Sequence, residues 1–164
     1  MTFRIRHHFP KIAVAVLVTF VFPSCFDRTS FFNYHAVDLD GWDRTDFQEY
    51  HVDPVASDGY YVEEIGVRTT NAYPYQRLHL VVKQDIISTI GKRSGRFRCD
   101  TLHIDIYDGW GKPKGKGTSL YQHVVPFKTL PLKAGDSLSV RIAHDMQVFS
   151  LTGVSDVGLK VTRQ

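Results

Sequence analysis

Apolar and polar residues alternate strictly in several separate stretches of this chain, and that leaves few folds open to it. QRLHLVVK (76–83) puts Leu78, Leu80 and Val82 on one side of an extended strand, and DTLHIDIYD (100–108) does the same with Leu102, Ile104 and Ile106. GDSLSVRIAH (135–144) gives Leu138, Val140 and Ile142, and DVGLKVTR (156–163) gives Val157, Leu159 and Val161. FQEYHVD (47–53) sets Gln48, Tyr50 and Val52 against Phe47, Glu49 and His51, while YHAVDLD (34–40) and YYVEEIGVRTT (60–70) alternate more weakly. A period of two sends successive side chains to opposite faces, so each run reads as a strand with one face inward. Asp40-Gly41, Asp58-Gly59, Asp108-Gly109 and Ala134-Gly135-Asp136 punctuate the runs as turns. No stretch keeps a 3.6-residue period for three turns; a weak helical candidate lies around 84–91, and a single turn could follow His144. Seven or eight short strands with regular turns predict an all-β chain, folded as one antiparallel β-sandwich over residues 34–164.

The N-terminus is built differently. Eleven uncharged, mostly apolar residues run from Ile12 to Phe22, behind Arg4, Arg6 and Lys11. A transmembrane helix needs ~20 such residues, whereas a basic start, a short apolar middle and a small exit residue make an export signal. Phe22-Pro23-Ser24-Cys25 resembles a lipobox: an apolar residue, two more of which the second is small, then cysteine. That resemblance implies a thioether-linked diacylglycerol on Cys25, cleavage of residues 1–24, and a lipidated tether over 25–33. An ordinary export signal and an uncleaved N-terminal anchor are the alternatives. Acyl chains at ~0.8 kcal/mol per buried CH₂ hold a domain firmly at a membrane.

Charge and thiols narrow the reading further. The chain carries 20 basic and 17 acidic residues; the three basic residues named lie in the expected signal, which has no acid. The mature chain is therefore balanced, and nothing in its net charge calls for nucleic acid or an anionic membrane surface as a partner. Cys99 is the only other cysteine, which leaves no intramolecular disulfide. Its place in a strand-like run makes a small buried hydrophobe the expectation.

Several stretches tempt a chemical reading. DLDGWDRTDFQE (38–49) puts Asp38, Asp40, Trp42, Arg44, Asp46 and Glu49 at calcium-loop spacing, but Trp42 and Asp43 stand where an acid and a glycine are needed. DGWGKPKGKGTS (108–119) fails the phosphate-loop spacing; Lys112, Lys114 and Lys116 read as the basic tip of a long hairpin. His35, His51, His79, His103, His123 and His144 show no zinc-ligand spacing, and Ser155-Asp156 has no nucleophile elbow around it. No catalytic residue, metal, cofactor or small-molecule substrate is assigned, and the protein is expected not to be an enzyme. The aromatic residues exceed what one small core needs, and Tyr73, Tyr75 and Trp110 are the candidate protein-binding surface. A flat aromatic patch would favour a scaffold. A shallow aromatic groove with converging polar groups would favour the alternative, a membrane-anchored glycan- or peptide-binding module.

Three longer stretches carry a resemblance. They are RTTNAYPYQRLHLVV (68–82), DTLHIDIYDGWGKPKGKGTSLYQHVVPF (100–127) and SLSVRIAHDMQVFSLTGVSDVGLKVTR (137–163). With the lipobox, they resemble the gliding-motility lipoprotein H family (GldH) of the Bacteroidetes; LTGVSDVGL (151–159), Met146 and Tyr73-Pro74-Tyr75 are the most specific elements. The resemblance implies a membrane-anchored lipoprotein that works beside the machinery for surface gliding and adhesin secretion, with no catalytic residues or cofactor defined. It leads to the expectation of a non-enzymatic assembly or scaffold component whose partners are envelope proteins and the lipid on Cys25. Surface-exported lipoproteins of that phylum tend to carry an acidic cluster after the cysteine. Phe26-Asp27-Arg28-Thr29 has one acid beside one base, so the periplasmic face of the outer membrane is expected.

Overall fold

A computed structural model of the protein describes residues 29–88 and 96–164; the segment expected to be an export signal, and Cys25, lie outside the described residues. Ten strands follow one another: β1 (Thr29–Ala36), β2 (Trp42–Asp43), β3 (Gln48–Val52), β4 (Gly59–Thr70), β5 (Arg77–Ser88), β6 (Arg96–Asp105), β7 (Leu120–Leu132), β8 (Asp136–His144), β9 (Ser150–Leu151) and β10 (Val154–Arg163). They pair antiparallel in two four-stranded sheets, β1-β10-β4-β7 and β3-β8-β5-β6, and a two-stranded one, β2-β9. Among the eight long strands only the β5–β6 step stays within one sheet, and every other connection crosses between sheets. That alternation makes the sandwich a jelly roll.

The alternating runs supply the core as expected. Leu78, Leu80 and Val82 of β5, Leu138, Val140 and Ile142 of β8, and Val157, Leu159 and Val161 of β10 are all buried. One long side of the sandwich is sealed by Tyr50. Its hydroxyl donates to the Val157 carbonyl at 2.7 Å, His35 stacks on its ring at 4.5 Å, and Phe31 meets it edge-on at 6.3 Å. On the other side, the edge strands β6 and β7 carry charge on the inward side: Lys128 Nζ is paired with Asp100 across the sheets, and Arg98 is nearby. Behind them Glu63 and Gln84 are buried, with the Gln84 amide donating to Glu63.

Three details depart from expectation. No helix forms at 84–88: Gln84 and Ile86 pair with Val140 and Leu138, so β5 extends to Ser88 by the same inward alternation. Residues 89–91 of that candidate lie outside the described residues, and no helix follows His144. β1 begins at Thr29, so its first five residues fall within the segment read as a tether. Cys99 is exposed rather than buried, because Leu102 and Ile104 set the inward parity of β6 and odd positions face solvent. If Cys25 carries the thioether that the lipobox resemblance implies, one thiol per mature chain should react with a thiol reagent without denaturant. Two reactive thiols would contradict the acylation, and none would contradict this placement of Cys99.

Close approach explains two glycines. Gly158 lies between Tyr34 and Gly66 in the ladder, and the Tyr34 ring lies over both. A Cβ on Gly158 would come within 2.6 Å of that ring, and one on Gly66 within 1.8 Å of its hydroxyl. The ring thus replaces the side chains the glycines lack, with the Arg68 guanidinium 4.5 Å above its centroid. Gly158→Ala must push Tyr34 off the sheet and should cost about 1–3 kcal/mol in denaturant unfolding.

The register also fixes two poles. Thr29 pairs with Thr162, Arg163 with Tyr61 and Gly59 with Leu132, so the N-terminal entry, the start of β4 and the β7–β8 turn share one end, the near pole. Ala36 pairs with Asp156, Thr70 with Leu120 and Arg77 with Asp105 at the opposite end, the far pole.

Candidate functional site

Four connections build the far pole: 37–47, 71–76, 106–119 and 145–153. The three stretches that carry the family resemblance all pass through it. Its loops are long but tied together. Gly153 N–H donates to Leu39 O and Thr70 N–H to Gly153 O, both at 2.9 Å; Ile106 N–H donates to Gln76 O at 2.9 Å. Arg44 donates to the Met146 carbonyl, and the Met146 sulfur accepts from the His79 amide at 3.4 Å. Trp42 is buried, its indole N–H donating to Asp46 O at 2.9 Å and its ring 5.1 Å from that of His144. His144 in turn approaches the Trp42 carbonyl at 2.9 Å through Nε2 and accepts the Met146 amide at Nδ1. Burial holds its imidazole below the usual pKa, so the neutral tautomer with a proton on Nε2 fits both contacts.

Of the candidate surface residues, the structure separates Tyr73 from the other two. Tyr73 is 2% exposed; its hydroxyl donates to Arg77 O at 3.0 Å and its carbonyl accepts from the Tyr107 hydroxyl at 3.1 Å. It is core, because four residues of tight turn bring a carbonyl to its polar end. Tyr75 is about a third exposed and meets Tyr73 edge-on at 6.0 Å. With Pro74, Gln76, Tyr107 and the 108–111 turn it lines a shallow groove of about 380 Å³. Trp110, on that turn, is 93% exposed.

The turn that presents Trp110 is pinned. The Asp108 carboxylate accepts the amides of Trp110 and Lys112, both at 2.9 Å, and its own amide donates to Lys112 O. The Lys112 amide, helped by that of Trp110, holds the Asp108 carboxyl below the usual range. Lys114 N–H donates to Ile106 O at 2.8 Å, and Lys116 and Gln122 exchange backbone bonds at 2.9 Å. Trp110 is therefore held outward on a rigid hairpin. Residues of β6 and β7, with the end of the same connection, enclose a cleft of about 580 Å³ lined by His103, Asp105, Lys114, Lys116, Gln122 and His123. Asp105 is taken up by Arg77 at 2.7 Å and Lys114 at 3.1 Å, which lower its pKa in that order. His123 is buried against the Thr69 hydroxyl at 3.2 Å, and burial pushes its pKa down.

The other sequence candidates are placed apart or used structurally. Asp38 accepts the Asp40 amide and Asp46 the Gln48 side chain, while Trp42 at the centre of the calcium-like spacing is core. His79 and His103 face each other across β5 and β6 with rings 4.4 Å apart. Among the described residues no three His, Cys, Asp or Glu side chains gather as a metal site. Ser155 donates to the Asp156 carboxylate at 2.6 Å, and Asp156 faces Arg68 at 3.6 Å. What the sequence did not reveal is that the 106–119 connection lines two depressions, the Tyr75 groove with Asp108, Gly109 and Gly111 and the cleft with Lys114 and Lys116. Only the spacing of glycines and lysines in 108–119 hinted at it.

A family model described as GldH lipoprotein matches residues 29–161. No curated protein matches the chain. The solved structure of Eiger TNF from S. frugiperda is similar over 81% of this chain and 92% of that one, at 12% identity and a TM-score of 0.31, too distant to decide anything here.

Proposed function

The chain belongs to the GldH lipoprotein family, and from that premise we propose that it is a non-enzymatic assembly component of the outer membrane. It is anchored on the periplasmic face through acylated Cys25, and it docks envelope proteins of the gliding or adhesin-secretion machinery with its far pole. The observation that carries this reading is Trp110, 93% exposed on a pinned hairpin at the end opposite Thr29. Exposed aromatics on rigid supports are what interface hot spots are made of. Asp108, the acid in the neighbouring groove, is already satisfied by backbone amides, which favours a docking patch over a ligand site there.

The test is a crosslinking pulldown of the native lipoprotein from detergent-solubilised envelopes, beside Cys25→Ala and Trp110→Ala. Gliding or secretion components should be recovered with the wild type and lost or displaced with either variant. Recovery of only lipid and abundant porins would contradict the reading. The cleft with Lys116, His103 and Gln122 supports the second reading, a glycan- or peptide-binding module. That reading gains if Lys116→Ala abolishes binding to envelope glycans while the pulldown stays empty.

A further inference from the structure

The near pole differs from the far one in kind. Tyr60, Ile87 and Phe97 are 62%, 49% and 58% exposed there. Tyr60 stands at this end of one sheet, and Ile87 and Phe97 stand at this end of the other, on its solvent-facing side. A groove of about 380 Å³ lies at the same end, lined by Tyr60, Ile86, Arg96, Pro131 and Lys133 together with Asp58 and Asp136. Both acids are occupied: Asp58 accepts the Ala134 amide at 2.8 Å, and Asp136 accepts the Lys133 amide at 3.0 Å. Among the described residues neither Arg96 nor Lys133 is in an ion pair. The pole therefore offers exposed apolar side chains beside unpaired cations.

We propose that the near pole is a lipid-facing surface, seated on anionic phospholipid with Tyr60, Ile87 and Phe97 in the headgroup layer and Arg96 and Lys133 on phosphates. The proposal rests on the reading of Cys25 as acylated. The occupant follows from chain length. Cys25 stands four residues before Thr29, and four residues span at most ~14 Å. β4, which runs from the near pole to the far one, has 12 residues, or roughly 36 Å of strand. A lipid on Cys25 thus keeps the near pole against the bilayer, whose interface favours amphipathic and aromatic rings together with basic groups. The same geometry directs Trp110 away from the lipid.

The full mature lipoprotein provides its own control, since Trp42 is buried and Trp110 is at the far pole. It is reconstituted in vesicles of phosphatidylethanolamine with phosphatidylglycerol whose acyl chains are brominated near the headgroup. Phe97→Trp should lose most of its added emission, while wild-type emission stays unchanged. Joint reversal of Arg96 and Lys133 to Glu should weaken that quenching. Quantitative vesicle binding with position 97 unquenched, or with Trp110 quenched instead, overturns the proposal alone. Protein left in the supernatant without acyl mass overturns the anchor reading and this surface with it. Should position 97 stay unquenched in lipid but be shielded from a water-soluble quencher in intact envelopes, its occupant is a protein and the lipid proposal falls.

Discussion

Gly153→Ala is expected to lower the unfolding free energy by about 3–5 kcal/mol, a large share of what a domain of this size possesses. Gly153 has φ +81°, a conformation that costs an L-residue roughly 1–2 kcal/mol. A Cβ there would lie 2.3 Å from Tyr73 N, 2.5 Å from Tyr73 Cα and 2.7 Å from Ala72 C. These are backbone atoms, so no side chain can rotate away, and the loop must move. That movement would break the two bonds by which Gly153 ties 37–47 to the end of β4. Gly109→Ala is the control, with nothing within 4 Å of its added Cβ and no positive φ; it should stay within about 0.5 kcal/mol of wild type. Urea unfolding of the two variants checks both.

Glu63→Gln should stabilise the protein at alkaline pH and do little in acid. Glu63 is fully buried on β4, with one carboxyl oxygen bonded to Gln84 and the other, Oε2, without a partner among the described residues. Burial raises its pKa from 4.5 to about 7 against the opposing pull of Lys128, Gln84 and Arg98. Below the unfolded value both states hold the proton, and no stability is lost. Between 4.5 and about 7 the unfolded chain ionises first, so stability falls as pH rises, reaching a loss of about 3 kcal/mol that persists above that window. Glutamine cannot ionise, so the advantage of the variant over wild type should grow across the same window. His123 and His144 shift in the same way in both proteins and drop out of the difference. Unfolding midpoints at about pH 4 and about pH 8 measure it. A constant offset at both would show that the Glu63 pKa does not change on folding.

The two predictions mark what the sequence does and does not disclose. Parity was legible wherever one face is purely apolar: Leu78, Leu80 and Val82 announce β5, and the same parity, followed two steps back from Ile104 and Leu102, turns Cys99 outward. YYVEEIGVRTT alternated weakly because β4 turns Glu63 and Thr69 inward along with Tyr61, Ile65 and Val67. Residue type says that Glu63, Lys128 and Asp100 belong in water. Glu63 is buried and the other two face inward because Lys128 pairs with Asp100 and draws on Glu63, and those pairings join strands far apart in sequence. For the same reason the jelly-roll order is not readable from local pattern, and without it the poles have no meaning. Tyr73 illustrates the limit at the site. Nothing in Tyr-Pro-Tyr says that the first ring enters the core and the second stays at the surface, because the deciding contact is the Arg77 carbonyl that receives the Tyr73 hydroxyl. The close contact of Gly153 with Tyr73, which links two of the most specific family elements, was not legible either.

The central claim is that the pole opposite the anchor docks an envelope protein, and site-specific photocrosslinking in living cells tests it most directly. A photoreactive residue replaces Trp110 in one strain and Phe97 in another. The account predicts adducts with a gliding or secretion component from position 110 and none of that kind from position 97. The same protein adduct from both positions, or only from position 97, would contradict it.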